Sequence, residues 1–258
     1  MVSEQALFRL RVRYVKRGRL RYLGHLEVLH TIERIVRRAG LPYAVTQGFS
    51  PHMRVSFSSA LPVGTASRCE WFDLMLTEYV PAPRALEALQ SAAPLDLAAQ
   101  EAAYIDVRSE SLTAFIVRAT YEVSIEFTTD VEPCALNRAI STVRERKALD
   151  YRRGRKSKRL DLERTLADVS VTWNDARTAT IALETRLDND GAMRPELFIA
   201  ACDLLLAGED YLGDPPRLDI GPYDYRTIKR VVVERVAQEG ERPDGTAVYP
   251  IRCADARA

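Results

Sequence analysis

The chain has 258 residues, enough for one large domain or two of ordinary size. Apolar residues make up 47% and charged residues 28%, the balance of a soluble protein that buries a core. No apolar run approaches the ~20 residues of a membrane-spanning helix, and "MVSEQALFRL" lacks the basic-then-apolar pattern of a signal peptide, so the expected place is the cytoplasm, with no membrane partner.

"FRLRVRYV" opens the chain with strict alternation: Phe8, Leu10, Val12 and Tyr14 on one face, Arg9, Arg11 and Arg13 on the other, which predicts a half-buried strand. "KRGRL" turns at Gly18. "GHLEVLHTIERIVRRA" then predicts a helix from Gly24 to Ala39, with Leu29, Ile32, Ile35, Val36 and Ala39 as its buried stripe. Gly40 and Pro42 stop it, and Arg37 and Arg38 suit the negative end of its dipole. "TQGFSPH" follows as a loop. "MRVSFSSA" and "CEWFDLMLTEYV" predict two strands, Pro81 or Pro83 opens a helix to about Ser91, and "AAYIDVRS" closes a fourth strand.

The same β-α-β-β-α-β order then recurs. "LTAFIVRATYEVSIEF" predicts a long strand and "EPCALNRAISTVRERKA" a helix. "LERTLADVSVTW" and "TATIALETRL" predict two strands, "RPELFIAACDLLLA" a helix and "YRTIKRVVVERV" a last strand. The expected class is α+β, with two tandem ferredoxin-like modules at 1–110 and 111–237 and a loosely structured tail at 238–258.

The net charge of +1 is unevenly laid out: residues 1–54 carry eleven bases against three acids, +8, and residues 144–159 carry nine bases against two acids, +7. Two basic blocks point to an anionic partner. Arg9, Arg11 and Arg13 stand two residues apart on a strand, roughly 6.6–7 Å between neighbours, a spacing that can follow the phosphates of an extended strand. Since both helices of a ferredoxin-like module cover one sheet face, the row is expected on the open face. There it would meet RNA, pair with acids of the second module, or stay solvated. Lys16, Arg17, Arg19 and Arg21 extend this block, and His30 shares a helix face with Arg34, Arg37 and Arg38.

In "TQGFSPHMR", Gly48 permits a left-handed turn and Pro51 stiffens the chain after it. Gln47, Ser50, His52 and Arg54 bring polar groups, and Phe49 brings a face on which a base can stack. The stretch is read as a ligand site as well as a turn. In the basic hairpin 144–159, Arg152, Arg153, Arg155, Lys156, Lys158 and Arg159 read either as a solvated ribbon or as a clamp on phosphates, with Tyr151 at its edge. His25 falls on the buried side of its helix, as a structural residue or one that points into a pocket.

Catalytic signatures are scarce: no GxSxG, P-loop or Rossmann glycine triplet occurs, and general acid–base work falls to His25 or His52 alone. Those two histidines are the catalytic candidates, although the chain reads more readily as lacking activity of its own. The cysteines Cys69, Cys134, Cys202 and Cys253 are far apart and fit buried, reduced thiols. No metal and no cofactor is expected.

The stretch from "GRLRYLGH" through "RRAGLP", "QGFSPH" and "LPVG" resembles a bacterial family of unknown function, the radical-SAM-linked proteins. The match runs through Arg21, Tyr22, Gly24, His25, Glu27, Arg37 to Pro42, Gln47 to His52 and Leu61 to Gly64, with Met53 where a second proline is usual. "KSKRLDL" and "GAMRPEL" are similar to further positions of that family. The resemblance implies an accessory chain that works beside a radical S-adenosylmethionine enzyme or a ribonuclease E/G-type partner. Tandem ferredoxin-like modules are also similar, as a fold, to CRISPR repeat-processing endoribonucleases. The function expected first is that of an RNA-binding protein presenting tRNA or rRNA to a partner enzyme. A metal-independent endoribonuclease and a protein adaptor without RNA are the alternatives.

Overall fold

The structure, a computed structural model, describes residues 6–188, 191–220 and 223–251. It is a mixed α+β chain with two compact units, Met1–Val117 with Arg235–Ala258, and Arg118–Glu234.

The first unit contains β1 (Phe8–Lys16), a 3₁₀ turn (Gly18–Tyr22), α1 (His25–Arg38), β2 (Val55–Phe57), β3 (Ala66–Leu76), α2 (Ala82–Ala92), β4 (Ala99–Ile105) and α3 (Leu112–Phe115). In its sheet β1 lies between β3 and β4, antiparallel to both, and β2 pairs with the later half of β3. The apolar set of β1, Leu10, Val12 and Tyr14, meets Phe72, Leu74 and Leu76 of β3. Val28, Ile32, Ile35 and Val36 of α1 and Ala85 and Leu89 of α2 close this core. The buried stripe of α1 therefore starts at Val28, one position before the expected Leu29.

The second unit contains β5 (Arg118–Phe127), α4 (Pro133–Glu145), β6 (Ala148–Arg153), β7 (Lys156–Asp161), α5 (Leu162–Thr165), β8 (Leu166–Asp175), β9 (Thr178–Asp188), β10 (Gly191–Ala192), α6 (Pro195–Leu206) and β11 (Leu218–Asp219). It also holds the first half of β12 (Ile228–Glu241), whose later half belongs to the first unit together with β13 (Ala247–Val248). β9 lies between β8 and β5, and β5 neighbours β12. Most of α6 is buried, so its apolar residues run round the whole helix instead of along one stripe. Asp203, buried within α6, accepts from Arg226 N (2.7 Å), Thr227 N (2.8 Å) and Thr227 Oγ1 (2.6 Å) and ties the chain that leads into β12.

Two expected strands start later than their apolar patterns suggest. The Ser111 hydroxyl accepts from Ala114 N (3.3 Å) and the Asp161 carboxylate from Arg164 N (3.0 Å), so residues 112–115 and 162–165 coil into short helical turns first. The first unit also runs past the expected boundary at 110, to Val117. Residues 238–251 differ from a loose tail: β12 continues to Glu241, and Gln238 is 1% exposed. Residues 252–258 lie outside the described ones.

Candidate functional site

The arginine row of β1 does not lie on an open face. Arg9 is 6% and Arg11 is 0% exposed. Asp73 stands opposite Arg11 in the β1–β3 register and reaches both neighbours. Arg11 Nε donates to its Oδ1 (2.7 Å), and Arg9 Nε (3.0 Å) and Nη2 (2.6 Å) donate to its Oδ2. Arg9 also donates to the carbonyls of Ser109 (2.6 Å) and Glu110 (2.9 Å), and Arg11 to that of Pro250 (3.0 Å). The chain after β4 and the segment after β13 thus cover the sheet face that the two helices leave bare. Arg13 is only partly covered, with Nε 3.3 Å from Glu101 Oε2 and Nη1 donating to Arg68 O (3.1 Å). A signal for this cover is present in "CEWFDLML". Trp71 and Met75 share the face of Asp73, so both faces of β3 carry apolar residues, the pattern of a strand buried on both sides. Trp71 is fully buried, edge-on to Tyr249 at 5.3 Å.

A second buried pair lies at the start of β3. Arg235 donates through Nε to Glu70 Oε1 (2.9 Å) and through Nη2 to Oε2 (2.6 Å), and Gln238 Nε2 donates to Oε1 (3.1 Å). Two forked donors and an amide saturate this carboxylate, which offsets the cost of burying its charge. Neither Glu70 nor Arg235 was a candidate in the sequence, since each sits in an apolar strand 165 residues from the other. Beside them Lys16, expected among the phosphate-binding cations, is 2% exposed, and burial pulls its ammonium below the usual lysine range, with the Arg235 charge acting in the same direction. Lys16, Tyr14, His25, Val28, Phe57, Ser58 and Glu70 line a narrow recess at the start of α1. His25 is exposed, not on the buried side, and sets its ring edge-on to Phe57 at 5.7 Å.

The other candidates of the first unit lie outside. Arg17 reaches Asp96 (3.6 Å), and Arg21 donates to Tyr22 Oη (2.8 Å) with its guanidinium 4.9 Å from that ring. On α1, Glu33 Oε2 stands between His30 Nδ1 (3.7 Å) and Arg37 Nη2 (3.6 Å), while Arg34 and Arg38 are exposed. Arg19 and Arg54 are exposed as well. Gln47, Ser50 and His52 are exposed on the loop tip, Phe49 is fully exposed, and Gly48 takes φ 128° at the turn. Thr46 N donates to His52 O (2.8 Å) and His52 N to Thr46 Oγ1 (2.9 Å), which closes the loop into a small tip. Among the described residues neither His25 nor His52 makes an ion pair.

In the second unit, the basic stretch forms a two-stranded ribbon of β6 and β7, with Gly154 at φ 59° in the turn. The register places Tyr151 opposite Lys158 and Arg153 opposite Lys156, all on one face. Asp150, Arg152, Ser157 and Arg159 take the other. There Arg159 pairs with Asp150 (3.5 Å) and Arg152 with Asp219 (3.5 Å). Among the described residues, Arg153, Arg155, Lys156 and Lys158 have no carboxylate partner. The ribbon therefore has a neutralised face and a cationic one with an aromatic between its charges.

Cys69 and Cys202 are buried thiols, that of Cys69 pushed up to about 12 by burial, whereas Cys134 is exposed and Cys253 lies outside the described residues. No helix of the described residues is long and apolar enough to cross a membrane.

Fold and site together define an α+β protein in which Arg9 and Arg11 of β1 are sealed into ion pairs, while α1 and the β6–β7 ribbon carry exposed cations. Residues 9–195 match the family described as "Uncharacterized protein conserved in bacteria (DUF2344)", and the chain belongs to that family. No curated protein matches the chain. Among solved structures it is similar to a chain of the "Crystal Structure of a Cbf5-Nop10-Gar1 Complex", with 8% identity and a TM-score of 0.45. That match covers 89% of this chain and 49% of the other, so this chain spans about half the other's length.

Proposed function

We propose that this protein is a cytoplasmic RNA-binding accessory protein that presents a structured RNA, tRNA or rRNA, to a partner enzyme. One observation carries the reading: Arg153, Lys156 and Lys158 share a ribbon face with Tyr151, and among the described residues no carboxylate pairs with them. Lys156 and Lys158, two residues apart on β7, stand roughly 6.6–7 Å apart, a spacing that suits successive phosphates, and the Tyr151 ring opposite Lys158 offers a stacking surface. Arg34 and Arg38 on α1, with Arg19 and Arg54, form the second contact set. Arg9 and Arg11 take no part, since their guanidinium groups are buried and paired.

Both units fit tandem ferredoxin-like modules. In each, the first long strand lies between the third and fourth, and the second pairs with the third: β4-β1-β3-β2 and β12-β5-β9-β8. The ribbon is then an insertion between the first helix and second strand of the second module. The motif from Arg21 to Gly64 supports a radical S-adenosylmethionine enzyme, or a ribonuclease E/G-type enzyme, as the partner.

The test is binding of the purified protein to fluorescent tRNA and rRNA hairpins across a series of KCl concentrations in EDTA. Expected is binding whose log affinity falls with log salt by about 0.7–0.9 per phosphate neutralised. Absence of binding at low salt overturns the reading. Cleavage of the RNA in EDTA, lost in His25→Ala or His52→Ala, replaces it with the endoribonuclease. Capture of an acidic partner that survives nuclease treatment, without RNA binding, replaces it with the adaptor.

A further inference from the structure

We infer that the recess at the start of α1 is a binding site for one anionic oxygen of a phosphoryl group, with Lys16 as its buried cation. Lys16 ends β1, lines the recess and is 2% exposed, yet among the described residues its side chain has no hydrogen-bond or ion-pair partner. A buried ammonium without a partner is costly, and the cost is removed when an anion arrives.

The neighbouring carboxylates are occupied. Both oxygens of Glu70 are held by Arg235, with Gln238 on Oε1, and Glu70 acts on the Lys16 charge from a distance, without a hydrogen bond. Glu27 reaches back to Gly24 N (2.7 Å). α1 is 14 residues long, and its N-cap is Gly24, which has no side chain to accept from the first turn. His25 and Val28 of that turn line the recess together with Lys16, so the positive end of the helix dipole lies beside it. Ser58, 5% exposed, adds a hydroxyl to the lining.

The recess is narrow, with room for a water-sized group, so a single oxygen enters and the rest of the ligand stays outside. The site is independent of the ribbon: phosphate binding here and RNA binding there can each be present without the other.

The experiment titrates the full chain, labelled with 15N, with inorganic phosphate, adenosine 5′-monophosphate and acetate. Expected are saturable shifts of the Lys16 ammonium and of the amides of His25 to Val28 with phosphate and with the nucleotide, and none with acetate at equal ionic strength. A nucleotide affinity at least ten-fold above that of phosphate assigns the site to a nucleotide or RNA end, and equal affinities assign it to free phosphate. Lys16→Met is expected to lose at least ten-fold in affinity. Lack of shifts at these groups in the wild type, or unchanged affinity in Lys16→Met, overturns the inference. The wild-type spectra decide it even where the variant does not fold.

Discussion

Single residues show how context decides what a charge does. Arg11 and Arg153 are the same side chain on strands of similar pattern, yet one is sealed against Asp73 and the other stands free on a ribbon. Asp73→Asn leaves two buried guanidinium groups without their counter-charge, so chemical denaturation is expected to show a loss of roughly 3–5 kcal/mol. Lys16 works in the opposite sense. Its folded-state ammonium is held below the ordinary lysine range, chiefly by burial, while Arg235 pushes it further down and Glu70 and Glu27 oppose. The unfolded chain therefore binds this proton more readily than the folded one. Stability from this group is lowest below the folded value and rises as pH climbs from there toward the ordinary lysine range. Lys16→Met is thus expected to raise the melting temperature in phosphate-free buffer near neutral pH, with a gain that shrinks toward pH ~10, where the unfolded lysine also deprotonates. Scanning fluorimetry across pH checks this, and a lower melting temperature at neutral pH counts against an unpartnered Lys16.

At the scale of elements, the β6–β7 ribbon was legible as a basic hairpin, but its two unlike faces were not. Alternation assigns residues to faces, whereas the acids that neutralise one face come partly from Asp219 on β11, far along the chain. The faces make separable predictions. Replacing Arg153, Lys156 and Lys158 together by Ser is expected to reduce the salt dependence of RNA binding by about 2–3 units of slope. Replacing the paired Arg152 and Arg159 together by Ser is expected to change it by less than about 0.5. Anisotropy titrations at several KCl concentrations distinguish the two, and equal effects from both variants would remove the ribbon face from the proposal. Helix α1 was read well because its period, its first turn and its glycine stop are local signals. The turns at 112–115 and 162–165 were read as strand because their apolar residues also fit alternation, and capping by Ser111 and Asp161 decided against it.

Over the whole molecule, β12 links the fate of distant segments. Residues 235–251 complete the first unit, where Arg235 neutralises Glu70 and the Pro250 carbonyl accepts from Arg11. A fragment of residues 1–117 is therefore expected to stay unfolded in buffer where the intact chain is folded, because Glu70 loses its partner within the core. Circular dichroism and amide dispersion would show it, and a folded 1–117 fragment would mean that the returning strand is dispensable. The amino-acid order by itself determined the mixed α+β class, the extent of helix α1 and the two basic blocks. These follow from periodicity and composition, which act between residues close in the chain. Only the tertiary structure decided which cations are free. An ion pair such as Arg235–Glu70 forms between side chains 165 positions apart, and no local pattern carries the register that brings them together. The same holds for the cover over Arg9 and Arg11, which depends on where the chain goes after β4 and β13.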